Sequence, residues 1–144
     1  MIILLSLGVL GDAQADAKLN DLVIVIANGP YAGTYKPNGT AVICMHAKKQ
    51  RVFTAAFKDF GAHGGKDLAE AGVEVMNPDT AGEKHGNIRI AFGDPDKKPT
   101  VYEVSFAPVV LEITVQGGMI TFEGKTASDI RMKVTARCLA VDNL

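Results

Sequence analysis

From Ile130 to Cys138 apolar and polar side chains alternate without a break. Ile130, Met132, Val134, Ala136 and Cys138 share one face; Arg131, Lys133, Thr135 and Arg137 share the other. A period of two belongs to a strand with one buried face, whereas a helix would scatter these residues around its axis. The same pattern recurs upstream. Ile88, Ile90 and Phe92 alternate with Asn87, Arg89 and Ala91, and Val109, Leu111, Ile113 and Val115 oppose Glu112, Thr114 and Gln116. Further strands are read over residues 22–27, 40–46, 52–57, 101–106 and 119–125.

Turn-forming residues separate these runs: Asn28-Gly29-Pro30, Pro37-Asn38-Gly39, the stretch from Gly61 to Gly65, and that from Gly93 to Pro99. Pro108 is expected to break one strand from the next, and Ala127-Ser128-Asp129 to turn the chain before the last run. Gly117-Gly118 reads as a two-residue hairpin turn, since glycine tolerates positive φ. Residues 77–86 are expected to form a polar loop. Residues 66–71 suit one helical turn ending at Gly72, although Val73-Glu74-Val75 alternates as a strand. No long helical period, internal repeat or linker appears. Short strands at this spacing predict an all-β fold, a mostly antiparallel β-sandwich of about eight to nine strands.

The N-terminus reads differently. Residues 2–10, IILLSLGVL, form a short apolar run followed by Ala13 and Ala15, the A-x-A pattern that suits a signal peptidase. The run is too short to cross a bilayer as a stable helix. No Lys or Arg precedes it, and the alternative is a buried first strand. The expectation is a signal peptide over residues 1–15 and a single β-sandwich domain over residues 16–144, secreted or periplasmic, with no membrane span in the mature chain. Without the first fifteen residues the acids, 16 in the full chain, fall to equal the 15 Lys and Arg. A balanced charge gives no long-range attraction to nucleic acid, which is not expected as a partner.

The chain has two cysteines, Cys44 and Cys138. Each shares the apolar face of a strand, Cys44 with Val42 and Cys138 with Ala136. An exported protein with an even, inward-facing pair is expected to close a disulfide between them, free buried thiols being the alternative. Such a bridge would limit the unfolded chain by about 4–5 kcal/mol in the loop-entropy treatment. Neither cysteine has the C-x-x-C spacing of a redox pair.

Candidates for chemistry are sparse. His46, His63 and His85 are widely separated, and no H-x-H or H-E-x-x-H spacing joins them, so a metal site would have to be assembled by the fold. His63 and His85 read as exposed loop residues, and no metal or cofactor is expected. Asp94 and Asp96 read as a solvated turn rather than a Ca²⁺ loop. Tyr31 and Tyr35, flanking small residues, are candidates for a glycan- or peptide-contacting edge; the preferred reading is that they cap the core. Cross-strand pairing with Glu123 and Glu112 is expected to account for the basic stripe of Arg131, Lys133 and Arg137. Asn38-Gly39-Thr40 fits the N-glycosylation sequon. No nucleophile elbow, phosphate loop or dinucleotide motif is present, and no catalytic residue is assigned.

The strand ending in Cys44, the segment Ile120-Thr121-Phe122-Glu123-Gly124-Lys125-Thr126 and the final Met132-Lys133-Val134-Thr135-Ala136-Arg137-Cys138 together resemble the small mycobacterial lipoprotein antigens. The resemblance covers about half of the chain, and the lipobox cysteine of that family is absent here. It implies a paired-cysteine β domain of the cell envelope without enzymatic activity, and it transfers no functional residue. The expected function is therefore an exported, non-catalytic binding or interaction module with a protein, peptide or glycan partner. The alternatives are a small secreted metal-binding protein or hydrolase with a histidine site, and a structural subunit that assembles through a sheet edge.

Overall fold

The structure is a computed structural model in which residues 20–59, 61–62, 65–114 and 117–144 are described. The expected signal peptide, residues 1–15, and the candidate His63 lie outside the described residues.

Ten strands are described: β1 (Asp21–Ile26), β2 (Gly33–Tyr35), β3 (Val42–Ala47), β4 (Val52–Lys58), β5 (Leu68–Met76), β6 (Lys84–Phe92), β7 (Thr100–Thr114), β8 (Gly117–Lys125), β9 (Arg131–Cys138) and β10 (Val141–Asn143). Among the described residues there is no α-helix, and one 3-10 turn spans Gly39–Ala41. All ten strands join one sheet in the order β10-β3-β4-β5-β6-β7-β8-β9-β1-β2. Its ladders are antiparallel except for β10, which lies parallel to β3.

The sheet curls. Five strands stand between β3 and β9 in the sheet order, yet the Cα atoms of Cys44 and Cys138 are 6.0 Å apart. Laid flat, six strand spacings would separate them by about 29 Å. The inward residues of both halves therefore meet in one core. Leu22 and Ile24 of β1, Phe53 of β4, Val73 of β5, Phe92 of β6 and Phe122 of β8 are all buried there. The fold is all-β as expected, but its layers are two limbs of one continuous half-barrel rather than two clearly separate sheets.

The bend lies in β7, which pairs with β6 from Thr100 to Val109 and with β8 from Val110 to Thr114. Pro108 was expected to end a strand and instead sits within this one, opposite His85. Proline is tolerated here because the strand exchanges partners two residues later, at Val110, and beside a register shift between Gly86 and Ile88. Phe106, at φ 51°, adds to the corner.

Other expectations are corrected by the same ladders. Residues 66–71 form no helical turn: Leu68–Met76 is one strand, because Ala69, Ala71, Val73 and Val75 alternate into the core. Leu, Ala and Glu favour helix locally, but pairing with β4 and β6 overrides that preference. Gly117 and Gly118 are not the hairpin turn; they pair with Thr114 and Ile113. The reason for glycine at 117 is close approach, since a Cβ there would lie 1.8 Å from the Cys138 carbonyl oxygen. β6 begins at Lys84, which moves His85 out of the expected loop and into a strand.

Candidate functional site

Where the curled sheet meets itself, three connections knit one seam. The Cys44–Cys138 disulfide joins β3 to β9. The buried Asn20 donates its side-chain amide to the Val42 carbonyl at 3.0 Å, and its Oδ1 accepts the Leu139 and Ala140 N–H groups, each at 2.9 Å. β10 then follows β9 across the gap and pairs with β3, and Leu144 exchanges backbone hydrogen bonds with His46 and Lys48. These contacts hold the fold closed and leave no reactive cysteine among the described residues.

Tyr31 and Tyr35 lie over the core rather than standing clear of it. The Tyr31 ring stacks on Phe92 at 4.5 Å, and the Tyr35 ring tilts against Phe92 at 4.8 Å. The Tyr35 hydroxyl donates to the Tyr31 carbonyl at 2.7 Å, and the Tyr31 hydroxyl shares a hydrogen bond with Thr100 at 3.1 Å. Burial, then the neighbouring Tyr31, raises the Tyr35 pKa above its ordinary value; burial, Tyr31 and Tyr35 do the same for Tyr102.

The histidines stand apart. His46 faces inward on β3, 7% exposed, with Nε2 3.0 Å from Asp79 Oδ2 and its ring against Phe53. It borders a cleft of about 290 Å³ with Ile113, Leu139 and Val141. His85 lies on β6, three strands away in the sheet order, stacked on Phe106 at 4.4 Å and 7°. The two imidazoles therefore engage different partners. Asp94 Oδ1 accepts the Asp96 N–H at 2.9 Å and so shapes its own turn. Asn38 is exposed, and its Oδ1 accepts both the N–H and the hydroxyl of Thr40.

On the outer face of β1, β9 and β8 the register builds two rows of side chains. Val25, Lys133 and Glu123 stand side by side in one. In the next, Lys125 stands opposite Arg131, whose carbonyl accepts the Ala27 N–H. Together they line a groove of about 570 Å³. Glu123 was expected to neutralise this stripe, and it does stand opposite Lys133. Even so, among the described residues neither Lys133 nor Arg131 is in an ion pair, while Lys125 contacts Asp129 at 3.1 Å. Like charges directly opposite one another cost stability, and here Asp129 offsets the charge of Lys125 and leaves that of Arg131. The volume falls in the range of about 300–1,000 Å³ common for ligand sites. The alternation of β9 had exposed the cations to sequence reading; the groove needed the register of all three strands.

A second cluster, on β5, β6 and β7, is self-contained. Arg89 reaches Glu103 and Glu70, and the Glu103 hydrogen bond is the main cause of its raised pKa.

Fold and site define a disulfide-closed, all-β domain with a cationic groove on one sheet face. No family model, no curated protein and no solved structure matches the chain.

Proposed function

We propose that this chain is an exported, non-catalytic binding module whose partner lies in the groove over β1, β9 and β8 and is an acidic, extended peptide. The observation that carries the reading is the pair Arg131 and Lys133, both exposed and neither in an ion pair among the described residues. Two residues apart on one strand face, they stand about 6.5–7 Å apart, the spacing of alternate carboxylates on an extended peptide. Val25, 37% exposed, adds an apolar floor, and among the described residues no aromatic ring lines the groove for a sugar to stack on.

Export is supported by the disulfide and by the resemblance to envelope antigens. Among the described residues no helix is long and apolar enough to cross a membrane. Protein recovered from its host is expected to begin at residue 16 and to hold no free thiol; a retained Met1 or two free thiols would sink the export reading.

Binding is tested with labelled peptides that alternate Asp with Ser, or Lys with Ser. The acidic probe should bind, weaken as salt is added, and fail against Arg131→Glu/Lys133→Glu at unchanged thermal stability. Equal affinity for both probes, or no effect of the double substitution, would refute the groove as the site.

A further inference from the structure

We propose that the edge of β7 at Val110–Ile113 is a second, separate docking site, which accepts an extended basic peptide by backbone pairing with a Lys or Arg beside Glu112. β6 accompanies β7 only as far as Val109, which pairs with Lys84, while β8 takes over on the opposite side at Val110. From Val110 to Ile113 one side of the strand is hydrogen-bonded to β8. Among the described residues no strand pairs with the other side.

An open run of backbone donors and acceptors is a template for another strand. Chains ordinarily blunt such edges with short strands, lysine or proline. The two terminal edges here follow that rule: β2 and β10 have 3 residues each, and Lys36-Pro37 follows β2. The β7 edge follows Pro108 and carries one charge, Glu112, but between Val110 and Ile113 it holds neither lysine nor proline. Its sequence, Val110-Leu111-Glu112-Ile113, is rich in strand-forming residues, and Val110 and Ile113 are 59% and 45% exposed. Phe106, 66% exposed and held at φ 51° with its N–H bonded to Asn87 Oδ1, extends the apolar surface before the edge, and Met119 extends it on β8.

Glu112 selects the occupant. It stands opposite Met119 on β8, and among the described residues it is in no ion pair. A second copy pairing antiparallel about Glu112 would set two carboxylates opposite each other, which is unfavourable across strands. A cation on an incoming strand is favourable at the same place, and β-branched residues on that strand suit Val110 and Ile113.

The probe is a short blocked peptide of alternating Val and Thr around one central Lys, added to the full-length, disulfide-bonded protein. Amide exchange should slow within residues 110–113. Affinity should fall about three- to tenfold when the central Lys is replaced by Glu, and that preference should invert in Glu112→Lys. A peptide N-methylated along its pairing edge should not bind. Unchanged exchange at residues 110–113 overturns the proposal, as does a charge preference that ignores Glu112→Lys. So does a concentration-dependent doubling of mass that protects the same amides without peptide, because it assigns the edge to a second copy. The groove reading calls for an acidic probe and this one for a basic probe, so either can fail without the other.

Discussion

Asn20 shows how much one side chain can hold. Its amide and carbonyl oxygen serve groups on two segments far apart in sequence, at Val42 and at Leu139–Ala140. Asn is well suited because it carries a donor and an acceptor on one short arm, and every buried backbone group at the seam needs a partner. Asn20→Leu would leave two N–H groups and one carbonyl without this partner. The expected loss is about 2–4 kcal/mol of unfolding free energy in a denaturant titration, with faster amide exchange at Val141–Asn143. Nothing in the local sequence marks Asn20, whose neighbours Leu19 and Asp21 say only that a strand is about to start. Tyr31 and Tyr35, by contrast, stood out as unusual, and the rings they touch, Phe92 of β6 and Tyr102 of β7, lie far along the chain.

β7 shows an element whose shape is set by its partners. Read alone, Pro108 divides it into two strands; with both partners in place it is one 15-residue strand bent at an exchange of neighbours. The bend depends on Gly86 on the facing strand, where a Cβ would lie 2.8 Å from the Glu74 carbonyl oxygen and 3.2 Å from Val109 Cγ1. Gly86→Ala is therefore expected to cost about 1–3 kcal/mol by overpacking, measured as a lowered denaturation midpoint. If its stability equals that of the parent, the bend does not depend on this contact. β5 carries the same lesson with opposite sign. Its Leu-Ala-Glu-Ala run looks helical, but Ala69 and Ala71 share the inward face of Val73 and Val75, and a ladder on each side settles the matter.

For the molecule as a whole, closure is the defining event. The disulfide spans 94 positions and ties strands that are neighbours only because the sheet has curled. Cys138→Ser, or reduction of the parent, should lower unfolding free energy by about 4–5 kcal/mol at most, seen as a shifted denaturant midpoint that reductant no longer moves in the variant. A reductant-insensitive parent would show that the bridge is not formed in solution. The groove also belongs to this scale: it exists because β1, β9 and β8 lie side by side, although β1 begins more than a hundred residues before β9.

The period of two in β6 and β9 was legible in the amino-acid order, because alternation is a local consequence of putting one strand face in water and the other in a core. So was the inward aim of Cys44 and Cys138. The order of the strands, the bend in β7, the short edge strands β2 and β10, and the meeting of Arg131 with Lys125 and of Lys133 with Val25 were not. Each rests on pairing between residues distant along the chain, and a ladder's backbone hydrogen bonds carry little mark of which strand will supply the other half. Alternation sets which side of each strand faces inward; only the closed sheet decides what stands beside it.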